Sequence, residues 1–118
     1  MAISAQSNTP ATHGFSVNAT SANASGAETL VAAVAGKSIY LTQLSITCIS
    51  AITVWVGEGE TASAVDTVLY GAIPFAATAP GQVSEVFSPP IKLTAATALV
   101  VDSSGAGAIH VYAQGYYE

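Results

Sequence analysis

The sequence has no arginine and only two lysines, Lys37 and Lys92, against seven acidic residues, so its formal net charge is −5 over 118 residues. Charged residues make up 8% of the chain, well below the roughly 25% found in ordinary soluble domains. A nucleic-acid-binding protein needs Lys and Arg to neutralise phosphates, and binding to an anionic membrane surface needs a basic cluster. Two lysines provide neither, so the sequence predicts no nucleic-acid partner and no membrane partner.

Cysteine and long apolar runs are also scarce. Cys48 is the only cysteine, which excludes a secreted domain held together by disulfides. No run approaches the roughly 18 consecutive apolar residues of a membrane-spanning helix. The first twenty residues lack the basic region and the apolar stretch of a secretory signal, so we expect synthesis in a cytoplasm.

Residues that could perform catalysis are few and scattered. His13 lies in a polar N-terminal segment, and His110 alternates with polar residues near the C-terminus, where a surface or interface role is expected. Cys48 is in phase with apolar neighbours and is expected to be a small buried side chain. The chain also lacks a Gly-x-Ser-x-Gly motif and a glycine-rich phosphate loop. The sequence therefore predicts a protein that is not an enzyme and needs no cofactor.

Three carboxylates, Glu58, Glu60 and Asp66, are close together in the chain. Their spacing differs from the Asp-x-Asp-x-Asp-Gly pattern of a calcium loop. We therefore expect a solvated acidic loop rather than a metal site.

From residue 28 onward the pattern indicates β-strands. Short apolar runs with period-two alternation are separated by Pro-, Gly- and Ser-rich turns at intervals of roughly 8–14 residues, which is typical of an all-β sandwich or barrel. The expected runs are 28–34, 37–50, 52–56, 67–73, 82–87, 98–102 and 108–116. We predict a jelly-roll-like β-sandwich of seven to nine short strands over residues 28–118, with an immunoglobulin-like sandwich as the alternative.

Within the run 37–50 the apolar phase changes. Ile39 and Leu41 occupy one phase, whereas Leu44 and Ile46 occupy the other. Because successive side chains of a strand point to opposite faces, a bulge or bend near Thr42 is needed to keep all four on one face.

The first 27 residues are rich in Ala, Ser, Asn and Thr, and Ile3, Phe15 and Val17 are their only sizeable apolar side chains. Such a composition buries too little surface to offset its ordering entropy. We predict an extended N-terminal arm over residues 1–27 that grips a neighbouring subunit, with these three side chains as anchors.

The strand region resembles small virion proteins of tailed bacteriophages. The resemblance is carried by Val34-Ala-Gly-Lys-Ser-Ile-Tyr-Leu-Thr-Gln-Leu, by Ile52-Thr-Val-Trp-Val-Gly and by Phe87-Ser-Pro-Pro-Ile-Lys-Leu. The most similar type is the capsid decoration, or cement, protein. The resemblance implies a homotrimer that bridges subunits of the major capsid protein on the outer surface of the virion, made in the host cytoplasm.

Trp55 points away from the phase of Ile52, Val54 and Val56, so we expect it on an outer face. Outward aromatic side chains are enriched at protein interfaces, and we assign Trp55, Tyr112 and Tyr116 to a subunit interface. Stacking of Trp55 on a sugar is the alternative, with Tyr70, Tyr112, Tyr116 or Tyr117 as companions.

Three functions remain open at this point. The first is a structural virion protein that decorates and stabilises a capsid. The second is a receptor- or carbohydrate-binding β-module of a phage tail or head fibre, and the third, least favoured, is a small enzyme.

Overall fold

The chain forms strands and no helix in the part that the structure describes. The strands are β1 (Ser4–Asn8), β2 (Gly14–Ser21), β3 (Glu28–Val31), β4 (Ile39–Cys48), β5 (Thr53–Gly59), β6 (Thr67–Pro74), β7 (Gly81–Lys92), β8 (Ala98–Ser103) and β9 (Ile109–Tyr117). The structure is a computed structural model, and it describes residues 4–8, 14–21, 27–59, 67–76, 81–105 and 107–118.

The strands form two antiparallel sheets that pack as a sandwich. One sheet has five strands in the order β1-β2-β9-β4-β7, and the other has four in the order β3-β8-β5-β6. The pairing is nested, since β5 pairs with β6, β4 with β7, β3 with β8 and β2 with β9. A long β-ribbon that is rolled up pairs in this way. The arrangement is that of a jelly roll, as predicted, and not that of an immunoglobulin-like sandwich.

Period-two alternation accounts for the core between the sheets. In β4 and in residues 109–113 of β9, the inward side chains are almost completely buried and the outward ones are polar or aromatic. The predicted change of phase in β4 is present as a register shift between Leu41 and Gln43 against both neighbouring strands. This bulge keeps Leu41 and Leu44 on the same inward face, so the whole strand contributes to one core.

The separate arm predicted over residues 1–27 differs from the structure in two places. Ser4–Asn8 form β1, which pairs with β2, and Gly14–Ser21 also belong to the five-stranded sheet. These residues form β2, which pairs with β9 along its full length. Phe15 and Val17 are buried in the main core together with Ala19. The alternation of these three with Ser16 and Asn18 is that of a half-buried strand. The strand was not predicted because the segment has low overall hydrophobicity.

A second difference concerns Pro89 and Pro90, which follow the expected strand run 82–87 in the sequence. They lie inside β7, at a register shift where the strand moves away from β4 between Val86 and Ile91. Proline is tolerated there because β7 is an edge strand, so that its outer side needs no ladder hydrogen bond.

Candidate interaction surfaces

The residues predicted to form an interface lie in three separate places. Phe15 and Val17 belong to the core, with 4% and 2% of their surface exposed, so they are not available as anchors for another subunit. Ile3 lies outside the described residues. Trp55 is on the four-stranded sheet, whereas Tyr112 and Tyr116 are on the five-stranded sheet. The structure therefore divides the predicted interface into two opposite faces.

Trp55 occupies the outer face of the four-stranded sheet, as its phase predicted. Its neighbours Val54 and Val56 are fully buried, so the indole points away from the core. The indole lies over Gly71 of β6, where a Cβ atom would be 3.4 Å from Trp55 Cδ1 and 3.0 Å from the Val54 carbonyl oxygen. Gly71 also has a φ of +138°, which favours glycine.

Val68 lies on the same outer face as Trp55. It is directly opposite Gly57, two residues along β5 from Trp55, and residues opposite one another in antiparallel strands share a face. Val68 is 47% exposed. Strand β6 carries no charged residue. We call Trp55 and Val68 the tryptophan face; Trp55 is half-buried on β5 and lies opposite Asp102 of β8, and Val68 is on the edge strand β6.

The outer face of the five-stranded sheet is polar and aromatic. The rings of Tyr40 and Tyr116 are stacked, with centroids 4.9 Å apart and planes 6° from parallel. Lys92 Nζ lies 5.8 Å from the centroid of the Tyr40 ring, within range of a cation–π contact. These three residues form one row across β7, β4 and β9.

A hydrogen-bonded cluster surrounds Tyr112 on this face. The Ser16 hydroxyl donates to the Tyr112 hydroxyl at 3.1 Å, and Tyr112 donates to Gln114 Oε1 at 3.2 Å. His110 is exposed two residues away, in agreement with its predicted surface position. We call Tyr40, Tyr112 and Tyr116 the tyrosine face. Its aromatic rings are held by neighbours on the same sheet, which makes it a preformed surface.

Tyr70 connects the edges of the two sheets. Its hydroxyl donates to Glu85 Oε1 at 3.3 Å, and its ring meets the Phe87 ring edge-on at 5.8 Å. Burial raises the pKa of the Tyr70 phenol above its usual value, and the charge of Glu85 and the hydrogen bond to it raise this pKa further. The phenol therefore stays protonated, and it serves as the donor that links β6 to β7.

The edges of β6 and β7 differ in regularity. Strand β6 has two register shifts against β5, so its edge is bulged. By contrast, Gly81–Val86 of β7 pairs residue for residue with β4, without a bulge. Val86 is 73% exposed at the end of this regular stretch. Sequence reasoning named Tyr70 only as a companion of Trp55 at a sugar site, and it missed Val68 and Val86. The absence of charge in β6 was a signal that could have found Val68.

Glu58 is buried, contrary to the expectation of a solvated acidic loop. Strand β5 continues through Gly59, and Glu58 is 9% exposed. Its Oε2 accepts the backbone N–H of Thr94 at 2.7 Å, and its Oε1 accepts the Thr94 hydroxyl at 2.6 Å. This carboxylate holds the β7–β8 connection against the four-stranded sheet. Glu60 and Asp66 lie outside the described residues, as does His13.

The remaining chemistry of the described residues is sparse. Cys48 is a buried free thiol, as predicted. Among the described residues, no three His, Cys, Asp or Glu side chains come together as a metal site requires. The same part of the chain contains no helix long and apolar enough to cross a membrane. Comparison of the chain with protein-family models, with curated proteins and with solved structures gave no significant match.

Proposed function

We propose that this protein is a structural virion protein that decorates and stabilises a bacteriophage capsid by bridging neighbouring subunits of the major capsid protein. The observation that carries the proposal is the tryptophan face. Val68 is exposed on this face and Trp55 is half-buried beside it, and an apolar patch that contains an aromatic side chain is typical of a contact with another protein. Trp is also among the residues that contribute most to binding energy at such contacts.

The composition of the surface supports a permanent contact with protein. Strand β6 has no charge, and the chain as a whole carries only two cations. Charged residues are depleted at the centres of protein interfaces because desolvating them is costly. A surface of this kind fits a fixed position in an assembly better than repeated binding and release of a charged ligand.

A jelly roll alone does not decide the function, because viral shell domains and lectins both use it. What the fold contributes is a rigid support. The two sheets hold Trp55 and Val68 on one face and the tyrosine face on the opposite side. Many copies bound on a closed lattice would add their individually weak contacts and strengthen the shell.

In this proposal the sandwich makes the capsid contact. Residues 14–21, which the sequence assigned to the arm, do not make it. Those residues pair with β9 and fill the core, so they do not reach a neighbouring subunit. The position on the outer surface of the virion remains a prediction.

The test begins with the number of copies per particle. Quantitative mass spectrometry of purified virions should find hundreds of copies, and particles without the protein should lose their DNA at lower temperature. Val68→Glu should reduce the occupancy of depleted particles at least about tenfold, because it places a charge in an apolar contact. Asn18→Glu, on the exposed opposite face, is the matched control and should bind normally.

Two results would contradict this proposal. A handful of copies per virion would indicate a tail or vertex component instead of a shell protein. Normal occupancy of Val68→Glu, together with loss of occupancy for Asn18→Glu, would move the contact to the tyrosine face.

A receptor- or carbohydrate-binding module is the second candidate, and the tyrosine face is the observation in its favour. Tyr112 stands among hydroxyl and amide groups that could orient a sugar, within one strand of the stacked pair Tyr40 and Tyr116. A glycan array with the purified protein tests it. Binding that is lost in Tyr112→Ala and retained in Trp55→Ala would support this candidate.

A further inference from the structure

Among the described strands, the regular half of β7, Gly81–Val86, has a partner on one side only. Its residues pair one for one with Gln43–Cys48 of β4, and β7 is the last strand of its sheet. Gln82, Ser84, Glu85 and Val86 are all exposed. We call Gly81–Val86 the β7 edge. An open edge of this kind presents unpaired backbone N–H and C=O groups that are ready to pair with another strand.

Strand β6 and the second half of β7 are protected in ways that the β7 edge is not. Bulges, prolines and lysines are the usual protection of an exposed edge. Strand β6 has two bulges, and the second half of β7 has Pro89, Pro90 and Lys92. The β7 edge has none of these features. Its single charge, on Glu85, accepts a hydrogen bond from Tyr70 of its own chain.

We propose that a second copy of this chain pairs antiparallel with the β7 edge, about a twofold axis that passes through Ser84. The two five-stranded sheets then become one continuous sheet across the dimer. This inference goes beyond the proposed function, because it concerns the isolated protein and needs no capsid.

The position of the axis follows from charge and proline. A twofold axis perpendicular to the sheet places the outer faces of both copies on the same side only when it passes through a residue. That residue then lies opposite the same residue of the second copy. An axis at Glu85 would place two carboxylates directly opposite each other, which is destabilising. An axis at Val86 would bring Pro89 into the new ladder, where it lacks an N–H to donate.

An axis at Ser84 avoids both problems. Ser84 lies opposite Ser84 of the second copy, and Val86 lies opposite Gln82 of the second copy, which covers the most exposed valine of the described residues. The two Glu85 side chains are then opposite Val83, separated by two residues along the strands. Ser84 already accepts or donates a hydrogen bond with Ser45 at 3.0 Å, so its hydroxyl lies on the outer face, away from the core.

The second copy fits this edge better than an unrelated chain because the segment complements itself. It is short and regular, and it is uncharged except for Glu85. Because a twofold axis pairs the same edge of both copies, the assembly closes at two copies, and this inference takes a dimer in place of the homotrimer expected from the sequence.

Cross-linking at the axis tests this arrangement directly. Opposite Cα atoms in antiparallel strands are about 4.5–5.5 Å apart, which is within disulfide reach. Ser84→Cys should therefore form a covalent dimer on mild oxidation. Gln82→Cys is the matched control. Its two copies would be offset by four residues, about 14 Å along the strand, and should not cross-link. The native Cys48 is buried and does not compete.

Sedimentation of the unmodified protein provides the second measurement. We expect a dimer at micromolar concentration, and Ser84→Lys should weaken it at least about tenfold because two ammonium groups then face each other. Asn18→Lys, in the same row of the outer face but away from the edge, should dimerise normally. A monomer or trimer in the wild type, or equal cross-linking of the two cysteine variants, would overturn the proposal. Neither measurement involves particles, so their failure is distinct from failure of the capsid contact.

Discussion

Strands β2 and β7 belong to the same sheet, yet Val17 of β2 and Val86 of β7 have opposite environments. Val17 of β2 is 2% exposed, whereas Val86 of β7 is 73% exposed. Strand β2 lies between β1 and β9, and its inward side chains join the main core. Strand β7 ends the sheet, and Val86 is opposite Gln43, on the polar outer face. Position in the sheet and phase, rather than residue type, separate a valine that stabilises the fold from one that is free to bind.

The same contrast explains why the two strands tolerate change differently. A buried valine cannot be replaced by a charged residue without desolvating the charge or opening the core. Replacing an exposed valine by a polar residue changes the free energy of unfolding very little. The comparison can therefore be tested by making the same substitution in both strands and in their supporting contacts.

The largest effect is expected for Val17→Lys. The ammonium group would enter the core beside Phe15 and Ala19, where the described residues provide no carboxylate partner in the core cluster. We expect the free energy of unfolding to fall by about 4 kcal/mol or more, a large part of the stability of a small domain. Urea denaturation followed by tryptophan fluorescence measures it.

Asn18→Lys is the control for that experiment. Asn18 is the exposed neighbour of Val17 in β2. Its substitution should change the free energy of unfolding by less than about 0.5 kcal/mol. Equal stability of the two variants would mean that β2 is not part of the core, and the predicted arm over residues 1–27 would then be restored.

A smaller loss is expected for Gly115→Ala, which tests how β2 is seated against β9. Gly115 is directly opposite Phe15, and a Cβ atom there would be 2.8 Å from Phe15 Cζ and closer still to the Tyr40 carbonyl oxygen. The backbone of β4 cannot withdraw without breaking its pairing. We expect a loss of about 2–3 kcal/mol, measured by thermal unfolding.

The double variant Phe15→Ala/Gly115→Ala separates steric conflict from a general weakness of β9. Removing the ring relieves one of the two close approaches, so the double variant should lose less stability than the two single variants lose in total. Full additivity would contradict the packing of Phe15 over Gly115.

Local patterns predicted a large part of this fold. The seven strand runs expected from residue 28 onward correspond to β3–β9, and the phase change at Thr42 is the bulge in β4. The outward position of Trp55 and the burial of Cys48 also followed from period-two alternation. Each of these features depends on neighbouring residues in the chain, and this is the information that a sequence pattern carries.

The features that escaped prediction depend on long-range pairing or on weak local signals. Strand β2 alternates, but with Ala19 and only two larger side chains, so composition suggested a solvated arm. Glu58 looked like part of an acidic loop because its partner, Thr94, is 36 residues away. That β7 is an edge strand follows only from the nested pairing of the whole ribbon. No short stretch of the sequence contains the information that β7 is an edge strand.

An intermediate effect is expected for Glu58→Ala, which affects the segment that follows β7. Removing the carboxylate leaves the part-buried N–H and the hydroxyl of Thr94 without their acceptors. We expect a loss of about 2 kcal/mol in the free energy of unfolding. Glu58→Gln should lose less stability than Glu58→Ala, because its amide oxygen can still accept one of the two hydrogen bonds. Equal losses for the two variants would contradict the role given to the carboxylate.

The smallest effect on stability is expected for Val86→Lys, which completes the comparison with Val17→Lys. The added ammonium group would stay in water beside an outer face that is almost uncharged, so the free energy of unfolding should change by less than about 0.5 kcal/mol. Dimerisation should weaken, because the axis at Ser84 covers Val86 with Gln82 of the second copy. Chemical denaturation at low protein concentration, where the chain is monomeric, measures the first effect, and sedimentation at high concentration measures the second. A stability loss comparable to that of Val17→Lys would show that Val86 is buried in the folded monomer. Unchanged stability together with unchanged association would show that Val86 is not covered in the dimer. The second copy would then have to bind elsewhere than at the β7 edge.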